Sequence, residues 1–155
     1  MSPIASLIKD VARVVATGFL LPVLFACNDS SAGLGTGGNG ILAPCPSSPN
    51  CVSSRDPDPT RRVDPILFTR DSAAAWSRLR KLIAEMKEAR IAEDEMGYLH
   101  AEFRSALFGF VDDVEFRMNE AGRIDVRSAA RTGYFDFGVN RRRVEEIRAR
   151  FTREQ

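Results

Sequence analysis

At 155 residues the chain has room for one small domain but hardly for two once a leader is set aside. Its formal net charge is +1, and Lys9, Arg13 and Asp10 near the start account for that single excess, so the remainder is close to neutral. A near-neutral domain lacks the basic surplus of a dedicated nucleic-acid binder, so no nucleic acid is expected among its partners.

Lys9 and Arg13 precede an uncharged stretch from Val14 to Ala26, which has the basic flank and short apolar core of a secretion signal. A membrane span needs about 20 apolar residues, and this run is too short for one. It closes on Leu24-Phe25-Ala26-Cys27, which resembles a bacterial lipoprotein processing site. Leu24 and Ala26 stand where the processing peptidase accepts them, while Phe25 is bulkier than the residue usual between them. An ordinary cleaved signal and an uncleaved anchor are the alternatives, and Asp10 is atypical of any signal. The lipoprotein reading makes residues 1–26 a signal peptide and Cys27 the lipidated N-terminus of an exported protein. Its location would be the bacterial cell envelope, on the periplasmic side, with a membrane as partner. One acyl chain binds only marginally, so the several chains typical of such lipoproteins, at about 0.8 kcal/mol per buried methylene, would be needed for a lasting anchor.

Residues 27–44 read as a flexible tether. From Asn28 to Pro44 Gly and Ser prevail, and such composition cannot bury enough apolar area to fold by itself. As a random coil it would hold the domain on the order of 20 to 25 Å from the lipid. Gly35, Gly37 and Gly40 satisfy the dinucleotide-binding spacing, but the motif needs a strand before it and a helix after it. Neither is predicted here, so no cofactor is expected.

Residues 45–155 are expected to form a single domain. Cys45 and Cys51 are the two thiols left once Cys27 carries lipid. In an oxidising compartment a disulfide is the simplest reading of such a pair. Free or redox-active thiols are an alternative, although the spacing is not C-x-x-C. A metal site is poorly supported, because His100 is the single histidine and no further cysteine completes a ligand set.

Beyond Pro65, Asp71 or Ser72 can cap a helix that places Trp76, Leu79, Ile83 and Met86 on one face. Alternation follows. Arg90 to Asp94 is a weak strand, Leu99, Ala101 and Phe103 share a face of the next, and Phe110, Val114, Phe116 and Met118 share a face of a third. Ile124 and Val126 mark a last strand. Joining the last two through residues 119–123 sets Phe116 opposite Val126, Met118 opposite Ile124, Glu115 opposite Arg127 and Arg117 opposite Asp125. The preceding turn sets Phe103 opposite Asp112, Ala101 opposite Val114, His100 opposite Glu115, Tyr98 opposite Arg117 and Glu102 opposite Asp113.

Two positions break this pattern. Asp112 falls on the apolar face, where a lone carboxylate is costly, and Arg131 is the candidate partner. Glu102 facing Asp113 needs a cation or an arginine such as Arg127 between them. Paired carboxylates, or His100 with Glu115, are groups that can transfer protons. The competing reading is a solvated face of cross-strand ion pairs.

The chain ends in Gly133-Tyr134-Phe135-Asp136-Phe137-Gly138 and a helix from Asn140 to about Arg153, with Val144, Ile147 and Phe151 at helical spacing. Its Arg141, Arg142, Arg143, Arg148 and Arg150 either face solvent or touch anionic head groups near the anchor.

Three blocks in order, CPSSPNCVSS from Cys45, FVDDVEF from Phe110 and VRSAARTGYFDFGVNRRR from Val126, resemble the signature blocks of the uncharacterised bacterial and plastid family catalogued as domain of unknown function 1499. The resemblance covers roughly Pro44 to Phe151. It implies that Cys45, Cys51, Asp112, Asp113, Arg127, Ser128, Arg131, Asp136 and Asn140 are motif positions, and it implies no settled activity. Ala130 stands where the family commonly has Ser.

The expected fold is α+β: a small antiparallel sheet of three to four strands, flanked by an N-terminal and a C-terminal helix. The expected function is a noncatalytic envelope lipoprotein that binds an unknown protein or small-molecule partner at the motif-rich end of the sheet. An enzyme gathering Asp112, Asp113, Arg127, Arg131 and Ser128 into one site is the alternative.

Overall fold

The computed structural model describes residues 40–69, 71–119 and 122–153. The leader, Cys27 and the expected tether up to residue 39 lie outside the described residues.

The elements run β1 (Cys51–Ser53), β2 (Ile66–Leu67), α1 (Ser72–Glu85), β3 (Ala89–Glu95), β4 (Tyr98–Arg104), β5 (Val111–Asn119), β6 (Arg123–Ala130) and α2 (Val139–Arg153). The class is α+β. One antiparallel sheet of six strands has the order β1-β6-β5-β4-β3, with β2 also paired to β6. It is larger than the three to four strands expected, because β1 and β2 span only three and two residues and carry no readable alternation. Together they cover the edge that β6 would otherwise expose. The helix order also differs from expectation, since α1 follows these two strands instead of preceding the sheet.

Asp71 caps α1, its carboxylate accepting from the Ala73 and Ala74 amides at 2.6 and 3.3 Å. The face that follows buries Ala75, Leu79, Leu82 and Ile83, with Trp76 packed partly against the core. α2 buries Val144, Ile147 and Phe151. Both helices meet the sheet face that carries Leu99, Ala101, Phe103, Val114, Phe116, Ile124 and Val126 in one apolar cluster. No helix among the described residues is long and apolar enough to cross a membrane.

Every strand pairing expected from the sequence is present, from Phe116 with Val126 and Glu115 with Arg127 to Glu102 with Asp113. Phe110 is the exception to the facing pattern: it precedes β5 and is exposed.

The polar face of the sheet carries the cross-strand ion pairs expected, but it is not the solvated surface that was expected with them. Tyr98, His100, Asp113, Glu115, Arg127 and Asp125 are all buried, although both helices lie on the opposite face. Gly40 lies beside this side, where an added Cβ would sit 3.5 Å from the Arg117 guanidinium, and Leu42 two residues on is buried. Cys45 is disulfide-bonded to Cys51 of β1. Leu42, within the stretch expected as tether, is thus packed on the domain.

Candidate functional site

Alternation along β5 and β6 divides the five candidate residues between two faces. Asp112 and Ser128 point with Val114 and Val126 toward the helices, whereas Asp113, Arg127 and Arg131 share the other side with Glu115. They do not gather into one site.

On the side away from the helices the charges form a chain of contacts. His100 Nε2 and Asp113 Oδ1 are 2.7 Å apart. The Arg131 guanidinium donates to both oxygens of Asp113 at 2.8 and 2.7 Å, and to Glu102 Oε1 at 2.6 Å. Arg90 donates to the other oxygen of Glu102 at 2.7 Å. Arg131, not Arg127, is therefore the cation between the facing carboxylates. Arg127 instead donates to Glu115 Oε2 at 2.8 Å, and the Tyr98 hydroxyl donates to Glu115 Oε1 at 2.8 Å. His100 and Tyr98 both bond the diagonal neighbour rather than the residue opposite, a reach that a twisted sheet permits. Glu115 and Arg127 are almost wholly enclosed, and Arg127 Nε is buried with no hydrogen-bond partner among the described residues.

These contacts set the protonation states. Burial is the largest single influence on Asp113 and opposes its charge. The hydrogen bonds from His100 and Arg131 together outweigh it, so the carboxyl titrates below its ordinary range. Glu102 is also held low, first by Arg131 and then by Arg90. The Asp113 hydrogen bond in turn raises Arg131. All three stay charged at neutral pH.

On the helix side, Asp112 meets Arg143 of α2 at 2.7 Å, not Arg131. Parity decides this: Arg131 lies on the Asp113 side, and Asp112 faces the helices. The same guanidinium stacks 4.8 Å over the Phe103 ring and donates to Asn140 Oδ1 at 3.0 Å. The Ser128 hydroxyl is fully buried and donates to that Asn140 oxygen. Asn140 Nδ2 donates to the Asn50 carbonyl and to Asp136 Oδ2, both at 3.0 Å, and the Asn50 carbonyl also accepts from the Ala130 amide. Motif residues Ser128, Asp136 and Asn140 therefore join β6, α2 and the loop before β1. A nucleophilic Ser128 would need access and a base. It has neither in this arrangement.

Most arginines of α2 act as struts and are not free. Arg141 donates to the Thr60 and Arg62 carbonyls, and Arg148 to Asp64, Glu145 and the Pro65 carbonyl. Sequence reasoning placed Arg143 among the arginines facing solvent or head groups and missed it as the partner of Asp112, yet a signal was available: it sits one position before Val144, on the shoulder of the stripe Val144, Ile147, Phe151.

A second missed feature lies at one end of the sheet. Leu107, Phe108 and Phe110 in the β4–β5 turn are exposed, as are Tyr134, Phe135 and Phe137 in the loop before α2. The two loops are neighbours, since the Arg131 amide donates to the Val111 carbonyl at 3.1 Å. Apolar residues in a turn, where polar ones are the rule, are the signal that marks them. Beside them Met86, Phe103 and Val139, with Arg104, Arg142, Arg143 and Arg150 and the carboxylates Glu88 and Glu146, line a cavity of about 320 Å³.

No group of three or more His, Cys, Asp and Glu residues among the described residues is arranged to hold a metal ion. No curated protein and no solved structure matches the chain. A family model does match, over residues 41–151, a span that opens just before buried Leu42 and closes on buried Phe151. The chain belongs to the family described as Protein of unknown function (DUF1499).

Proposed function

We propose that this protein is a noncatalytic binding module of the bacterial cell envelope, exported by residues 1–26 and held on the periplasmic side by lipid on Cys27. The supporting observation is how the charged and the apolar groups are distributed. Glu102, Asp112, Asp113 and Glu115 are already engaged by arginines, His100 or Tyr98, while six large apolar side chains stand exposed on two adjacent loops. A catalytic acid or base must reach a substrate proton. Asp113, His100 and Glu115 are buried, and His100 Nε2, Arg131, Arg127 and Tyr98 occupy the carboxylate oxygens. Binding at the loop end needs no such access. The reading also agrees with the basic flank, short apolar core and Cys27 of the leader.

The test is the intact mass of the protein extracted from membranes. The expected species begins at Cys27 and bears a diacylglyceryl or triacyl adduct. A chain that retains residues 1–26, or one that begins elsewhere without lipid, would overturn the anchor.

A further inference from the structure

Seven of the ten exposed large apolar residues among the described residues lie on one end of the domain: Leu107, Phe108 and Phe110 on one loop, and Tyr134, Phe135, Phe137 and Val139 on the other or at its junction with α2. Clustering of this kind marks an interaction surface, whereas singly scattered apolar residues do not. The rings pack on each other within each loop, Phe108 with Phe110 at 5.7 Å and Phe135 with Phe137 at 5.2 Å between centroids. Phe137 adopts φ 53°, a left-handed conformation that a bulky residue rarely takes, and it is 79% exposed there.

Within the two loops the outward charge has one sign, while Glu88 and Glu146, the latter paired with Arg150, stand among the arginines of the adjoining cavity. Asp136 is the single carboxylate in the two loops, and it is turned inward to accept from the Gly138 amide, the Asn140 amide and Asn140 Nδ2. Arg104 and Arg142, at the base of the loops, donate to the Gly109 and Phe137 carbonyls and form no ion pair among the described residues. Two apolar tips with guanidiniums behind them match an anionic bilayer, where rings enter the interface and cations meet phosphates. A protein partner with an acidic groove would meet the same arginines but leaves the paired tips without a reason to project.

We infer that this loop end docks onto an anionic lipid surface, with Leu107, Phe108, Phe110, Tyr134, Phe135 and Phe137 at the acyl boundary and Arg104 and Arg142 on head-group phosphates. The inference rests on the proposed anchor for the membrane's identity, and chain length permits it. Residue 40 joins the domain beside Arg117, at the end of β5 away from the loops. The nine residues of β5 span about 30 Å. Cys27 and Gly40 lie thirteen chain steps apart, a reach of about 40 Å when extended. A domain tethered at its far end can therefore lay its loops on the membrane that holds it.

The experiment uses the full chain extracted from membranes and reconstituted into vesicles with brominated acyl chains, either phosphatidylcholine alone or phosphatidylcholine mixed with phosphatidylglycerol. Phe135→Trp and, on the other loop, Phe108→Trp report contact with the acyl region, and the wild-type chain with Trp76 sets the baseline. Both variants should be quenched above baseline in the anionic vesicles, less in the neutral ones, and less again at high salt. Adding Arg104→Gln or Arg142→Gln should lower the docked-to-free ratio about fivefold each. Quenching no greater than baseline for both variants in anionic vesicles would overturn the inference, as would equal quenching in the two compositions. The same samples, weighed intact, separate the two readings: a chain held by an uncleaved leader sinks the lipid anchor and leaves the docking measurement standing.

Discussion

Arg131 holds two carboxylates that face each other across neighbouring strands, and it shows how one guanidinium can reverse the sign of an interaction. Without it Glu102 and Asp113 repel; with it each is held ionised. Arg131→Met should therefore cost about 2 to 3 kcal/mol in urea unfolding at neutral pH, since it strands a buried carboxylate. Arg90→Met removes a cation from the same Glu102, but its side chain is 69% exposed, so the cost should stay within about 0.5 kcal/mol. Similar losses for the two variants would contradict this account. The titration follows with a definite sign. Asp113 and Glu102 have folded values below their unfolded ones, so their stabilisation is fully present above about pH 4 and is lost as pH falls through the folded values. Asp113→Asn should be less stable at neutral pH and should lose less stability between about pH 5 and pH 3 than the wild type does. Curves that run parallel over that range would remove Asp113 from the acid response.

At the scale of elements, the helix α2 is fastened to the sheet by more than its apolar stripe. Asn140 links Ser128 of β6, the Asn50 carbonyl before β1, and Asp136 in the preceding loop. Asn140→Ala leaves these buried groups short of partners and should cost about 2 to 3 kcal/mol. Amide exchange can check it, with protection falling first at Ala130, whose N–H bonds the same Asn50 carbonyl, if the joint itself has loosened. Unchanged stability would reduce Asn140 to packing. Much of this scale was legible beforehand. The β4–β5 and β5–β6 registers follow from side-chain period two, because apolar and charged pairings agree in only one alignment. β1 and β2 were not legible: a strand of two or three residues takes its identity from the β6 edge it satisfies, not from its own pattern. The helices read well since Asp71 caps one and Val144, Ile147 and Phe151 repeat along the other.

Among the described residues the two faces of the sheet are buried by different means. Helices cover the apolar side, and the segment that runs from Gly40, beside Arg117 of the polar side, to β1 is fastened by Cys45 and Cys51. The loop end is then where most of the exposed large apolar groups among the described residues lie. Because those groups lie off the core, Phe135→Ser and Leu107→Ser should change stability by no more than about 0.5 kcal/mol, as thermal unfolding would show. A loss above about 2 kcal/mol would mean that the loops pack inward and are not a docking surface. The sequence by itself determined the α+β class, the β4–β5 and β5–β6 pairings, the helical faces and the two thiols of the disulfide, because each depends on local periodicity or on a count of residues. Tertiary structure alone decided that Arg143 serves Asp112, that Arg131 serves Asp113 and Glu102, and that the polar sheet face is buried. Those outcomes depend on which distant segment arrives over each face, and neither residue period nor composition carries that information.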